Sequence, residues 1–132
     1  MEASPVQYTS TSDGFRIAYA VYGHGETLVY VPFSVQSLGH GSHGDWGQHP
    51  QFSRLVASLR LIRYDTRGQG LSTRGLDDSH TVEAYERDLE AVVERLGVEQ
   101  VALMGGALAS HVALRYAVHH PERVKALVLY RT

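Results

Sequence analysis

The sequence predicts an α/β fold: one domain over residues 1–132, with a mostly parallel sheet of about six strands and three helices lying on both faces. Three observations predict it. Short, mostly apolar runs recur at 28–31, 61–64, 101–104 and 126–130, as in strands buried on both sides. Segments with helical apolar spacing separate several of these runs, the alternation that builds a parallel sheet. Nearly all of the 13 glycines fall at turns, loops or element ends.

Taken in order, Ser12, Asp13 and Gly14 signal a hairpin turn between strands at 6–10 and 15–22. In the second strand Phe15, Ile17, Tyr19 and Val21 alternate with Arg16, Ala18, Ala20 and Tyr22, a period of two that predicts one wetter face. The run 28–31 is a buried strand that stops at Pro32. A loop over 33–47 leads to a helix with apolar positions Phe52, Leu55, Val56 and Leu59. The strand 61–64 follows, then a loop over 65–78. The clearest helix is 81–96: Val82, Tyr85, Leu89, Val92, Val93 and Leu96 form one stripe, Thr81 or Ser79 caps it, and Gly97 ends it. A buried strand at 101–104, a sharp turn at Gly105 and Gly106, a helix at 108–119 closed by Pro121, and a last strand at 124–130 complete the chain.

Composition removes several function classes. Twelve basic against 14 acidic side chains give a net charge of −2, with no electrostatic footprint for nucleic acid or an anionic membrane. The chain has no cysteine, which excludes a disulfide framework, thiol catalysis and thiolate metal sites. Charged residues are 20% of the total, below the usual ~25%, a hint of surface kept for a partner. The opening MEASPVQYTS lacks the basic flank and apolar core of a signal peptide. The most apolar stretch, 101–118, is broken by Gly105, Gly106, His111 and Arg115, so no membrane span is expected and a cytoplasmic protein is.

A strand entering a tight glycine turn and then a helix is the geometry of a nucleophile elbow. Here it reads Leu103-Met104-Gly105-Gly106-Ala107-Leu108-Ala109-Ser110. With Asp65-Thr66-Arg67-Gly68-Gln69-Gly70-Leu71-Ser72 and His120-Pro121-Glu122-Arg123-Val124, the chain resembles the α/β-hydrolase family over essentially its whole length. Gly14-Phe15-Arg16-Ile17-Ala18-Tyr19 and the segment 46–54 look like a bacterial branch whose hydrolase-like domains are often fused to nucleotide cyclases or regulators. The resemblance is specific for the fold and much less so for substrate.

Two departures from the family pattern shape the functional expectation. The G-x-S-x-G motif falls on Gly105-Gly106-Ala107-Leu108-Ala109, so the nucleophile position holds Ala107, and a methyl group cannot attack a carbonyl. The family's aspartate nucleophile is absent there too. Ala109 also replaces the motif's second glycine, which an active-site knockout would not require; drift of a non-catalytic elbow is favoured over deliberate mutation. The family order is nucleophile, acid, histidine, and the 132 residues stop one strand past the elbow, ahead of the segments for the other two.

Ser110 and Ser34 are the remaining hydroxyl candidates. Ser110 is expected to bond backbone at the start of its helix, with His111 facing another side. By resemblance, Phe33 and Leu108 supply the backbone N–H groups of the oxyanion hole, which would persist as a pocket for a small-molecule ligand. His40, His43, Asp45 and His49 sit in a glycine-rich loop at a spacing that fits no fixed metal motif, so neither metal nor cofactor is expected. Asp65 and Arg67 are expected to tie down their loop by charge-assisted hydrogen bonds. Glu83 and Arg87 make a solvated i,i+4 pair. The eight tyrosines and Trp46 are expected mostly in core and edge positions.

The last strand, apolar at consecutive positions, is expected to be buried on both faces, yet half a fold leaves it uncovered. A homodimer through that strand and the bare sheet face is therefore expected. The favoured function is a non-catalytic, self-associating binding or regulatory module. The alternative is an active serine-type hydrolase or esterase with a rearranged or partner-completed site.

Overall fold

A computed structural model describes residues 5–32, 54, 57–67 and 81–130. Six strands and two helices occur among them: β1 (Gln7–Ser10), β2 (Arg16–Gly23), β3 (Glu26–Tyr30), β4 (Leu59–Tyr64), α1 (Val82–Leu96), β5 (Val101–Gly106), α2 (Leu108–His119) and β6 (Val124–Tyr130). They form one sheet in the order β1-β2-β4-β3-β5-β6. The β1–β2 and β2–β4 pairs are antiparallel, and β4, β3, β5 and β6 run parallel. The helix expected over 52–59 lies largely outside the described residues. Leu59, expected to end that helix, instead opens β4 opposite Glu26, because the parallel ladder with β3 starts there.

The hairpin turn closes through Thr11. Its amide donates to the Phe15 carbonyl, its carbonyl accepts from Gly14, and its hydroxyl accepts from the Phe15 amide. Gly14 takes φ 91°, a conformation that favours glycine. In α1 the Thr81 hydroxyl accepts from the Ala84 amide at 3.1 Å, and Gly97 ends the helix in the left-handed region at φ 69°.

Alternation along the strands splits the core into two layers. Ile17, Tyr19, Val29, Val31, Ile62 and Tyr64 pack toward α1 and α2 against Leu89, Val92, Val112 and Tyr116. Ala18, Ala20, Tyr22, Leu28, Tyr30 and Leu61 form a separate cluster on the other face. The wetter face expected for β2 is therefore dry: Ala18 and Ala20 are fully buried, because the larger side chains of that cluster, Tyr22, Tyr30 and Leu61 among them, pack with them. β6 is left uncovered among the described residues. It lies at the sheet edge, touched by α2 on one side, and Val128 and Leu129 remain 48% and 37% exposed among the described residues.

Candidate functional site

The end of β5 is shaped by two glycines with different reasons. A Cβ on Gly105 would meet the Ala109 carbonyl oxygen at 3.0 Å, so its absence lets the first turn of α2 close against the strand. A Cβ on Gly106 would lie 2.4 Å from Cε2 of Tyr130, whose ring covers that position. The Tyr130 hydroxyl then meets the Tyr30 hydroxyl at 2.9 Å, linking β6 to β3 across β5.

Ala107 follows at φ 52° and ψ −128°, the one non-glycine residue with positive φ among those described. Such a backbone costs roughly 1–3 kcal/mol for a residue with a side chain. It is held from both sides: the Ala107 amide donates to the Tyr130 carbonyl at 3.2 Å, and its carbonyl accepts from Ser110. The Ser110 hydroxyl donates to that same carbonyl at 2.6 Å and is almost fully buried. His111 is exposed on α2.

Beside the elbow, Val31, Pro32, Tyr64, Tyr85, Leu108 and Val112 are among the residues lining a cleft of about 360 Å³, counting its open mouth. The cleft sits past the carboxyl ends of β3 and β4 and at the head of α2, the usual ligand position in an open α/β sheet. As the first residue of α2, Leu108 presents an N–H with no intrahelical acceptor. Leu108 itself is 46% exposed at the cleft. Tyr64 is buried, and its hydroxyl has no hydrogen-bond partner among the described residues. Burial, with the nearby Asp88 carboxylate, raises its pKa well above the usual tyrosine value. The other sequence candidates, Phe33, Ser34, His40, His43, Asp45 and His49, lie outside the described residues.

A buried ionic clamp braces the cleft. Arg67 is fully buried, and its Nε donates to Asp88 at 2.9 Å while its amide donates to the same carboxylate at 3.0 Å. Its two terminal nitrogens hold Asp13 at 2.7 and 3.0 Å, and its guanidinium stacks 4.1 Å from the Phe15 ring centre. Burial pushes the Asp88 carboxyl up to about 6, and the Arg67 guanidinium beside Asp13 holds that carboxyl well below the usual range. Arg67 thus ties its loop as expected, its side chain bonded to Asp88 and Asp13. Sequence reading missed Asp88. The signal was its place on the apolar stripe of α1, between Tyr85 and Val92, where a carboxylate needs a buried partner.

The expected Glu83–Arg87 pair is replaced by longer-range pairs. Arg87 lies 3.5 Å from Asp13, and Glu83 lies 3.6 Å from Arg115. The Asp13 carboxylate draws Arg87 and the Arg115 guanidinium draws Glu83, each from another element. Glu86, buried between the helices, accepts from Arg115 and contacts His119, each at 2.7 Å.

The family model for the α/β hydrolase fold matches residues 35–132. The chain belongs to the α/β-hydrolase family. It is 36% identical over 95 residues to the candidate carbamate hydrolase RutD of Caulobacter sp. (strain K31), covering 72% of this chain and 35% of that one. A 2-hydroxy-6-oxononadienedioate/2-hydroxy-6-oxononatrienedioate hydrolase of Paraburkholderia phymatum is 31% identical, covering 97% of this chain and 45% of the relative. Among solved structures, the bottromycin epimerase BotH in complex with bottromycin A2 superposes with a TM-score of 0.80 at 25% identity, over 96% of this chain and 48% of that one. An epoxide hydrolase of Vigna radiata superposes at 0.77, over 95% and 37%. This α/β-hydrolase chain therefore spans less than half the length of these relatives.

Proposed function

We propose that this chain is a non-catalytic, self-associating binding or regulatory module built on the α/β-hydrolase scaffold. One observation carries the reading. Ala107 keeps the strained elbow at φ 52° but offers a methyl group where the family places a nucleophile. The elbow geometry is present without the reacting atom, which supports binding without turnover in the cleft beside it. Ser110 supports this, since its buried hydroxyl is engaged with the Ala107 carbonyl. The epimerase BotH bound to bottromycin A2 is a precedent for a small molecule held on this fold.

Self-association draws support from β6. Its outer edge faces no other strand among the described residues, and Val128 and Leu129 are exposed beside it. Two such edges pairing antiparallel about a two-fold axis satisfy the backbone and cover both side chains. Light scattering at micromolar concentration is expected to give a dimer, and a monomer removes this half of the reading.

The alternative, a serine-type hydrolase with a rearranged or partner-completed site, is favoured by the hydrolase names of the relatives. Fluorophosphonate labelling separates the two. The binding reading expects no adduct, and an adduct on Ser110 or Ser34 reinstates the hydrolase.

A further inference from the structure

Tyr130, the last residue of β6, is tied to three other parts of the molecule at once. Its ring covers Gly106, where a Cβ would lie 2.4, 2.7 and 2.8 Å from three ring carbons. Its hydroxyl is 2.9 Å from that of Tyr30 at the end of β3, and its carbonyl accepts from the Ala107 amide at 3.2 Å. Gly106 has no positive φ, so its backbone does not call for glycine, and a glycine inside a strand costs stability. The missing Cβ is what position 106 needs, and the three atoms nearest to it all belong to Tyr130. At 107 the reverse holds: φ 52° favours glycine, yet alanine stands there and the Tyr130 carbonyl helps to hold it.

The residues that follow two of these contacts are walls of the cleft. Val31 and Pro32 come directly after Tyr30, Leu108 comes directly after Ala107, and all three line it. Tyr130 is not itself part of that lining. We infer that Tyr130 is a positioning residue: from outside the cleft it fixes the spacing between the Val31–Pro32 wall and the Leu108 wall. The inference rests on the binding reading above and names a residue that shapes its site. The hydroxyl holds one wall through Tyr30, the carbonyl holds the other through Ala107, and the ring on Gly106 sets where both act. Because Ala107 is strained, loss of Tyr130 opens a relaxed backbone to it, and Leu108 moves with that relaxation.

The test titrates the full chain with benzene, an apolar probe for a largely apolar lining, followed through the Leu108 amide by NMR. Tyr130→Phe and Tyr30→Phe cut the same hydroxyl contact. Each is expected to weaken benzene binding by the same factor, about two- to tenfold, and the double variant by no more than either alone. Tyr130→Leu also empties the space over Gly106. There the Leu108 N–H is expected to turn, as read by residual dipolar couplings, while the Thr11 and Gly14 amides of the far hairpin keep their orientation. Benzene affinity is expected to fall further in this variant than in Tyr130→Phe. Unchanged benzene affinity in every variant overturns the inference and leaves the binding reading standing. Losses that add in the double phenylalanine variant show two separate packing effects and overturn it, even if Tyr130→Leu fails to fold. A Leu108 N–H that keeps its orientation in a folded Tyr130→Leu also overturns it. No binding of benzene to the wild type overturns the binding reading and the inference together.

Discussion

At the residue scale, Ala107 carries the chemistry and the strain of the elbow together. The φ of 52° is maintained by the Tyr130 carbonyl on one side and by Ser110 on the other, so the surroundings impose the geometry on a residue that disfavours it. Ala107→Gly is expected to raise stability by about 1 kcal/mol, relief of strain exceeding the entropy gained by the unfolded chain. Urea denaturation midpoints check this, and a loss of stability would show that the alanine is unstrained. Gly106 behaves in the opposite sense. Gly106→Ala drives a Cβ into the Tyr130 ring and breaks the contact with Tyr30, an overpacking expected to cost about 1–3 kcal/mol. The companion change Tyr130→Ala should remove most of that penalty in a double-mutant cycle.

At the element scale, the structure depends on how α1 is anchored to the hairpin and to the loop after β4. Arg67 makes both connections from a fully buried position, so removing an acceptor leaves a buried charge without its partner. Asp88→Ala is expected to cost about 3–5 kcal/mol, measured by urea unfolding. The two carboxyls also give opposite pH dependences. Asp13 has a depressed pKa in the fold, so its contribution is present at neutral pH and lost as the pH falls below the ordinary carboxylate value of 3.8. Asp88 is raised to about 6, so the native state takes up its proton first and this contribution is lost as the pH rises through about 6. Stability is therefore expected to rise on going from pH 7 to 5 and to fall below pH 4. Asp13→Asn should flatten the acid limb.

Much of this element-level organisation was legible in the sequence. The Thr81 cap, the Gly97 stop and the span of α2 follow from local chemistry that short stretches contain in full. Partners distant in the chain did not follow. Arg67 reaches Asp88 across 21 positions and Asp13 across 54, and only the fold brings those charges together. The dry second face of β2 was missed for a similar reason. Alternating alanines look wettable until another strand and a second core layer enclose them.

At the scale of the whole molecule, the sheet places its catalytic-type elbow and its edge strand side by side. Tyr130 serves both, its ring over Gly106 and its carbonyl on the Ala107 amide. An occupant of the β6 edge therefore lies one strand from the elbow, which makes association and pocket geometry neighbours in the same backbone. Motif spacing was enough to locate the elbow and the alanine at its centre. The burial of the Tyr64 hydroxyl without a partner among the described residues was not readable, since only packing shows it.

The most direct test of the account is hydrolysis of short p-nitrophenyl esters by the purified chain. The account predicts no saturable turnover above the buffer rate, in the wild type or in Leu108→Trp, which fills the mouth of the cleft. Saturable hydrolysis by the wild type that Leu108→Trp abolishes would contradict it.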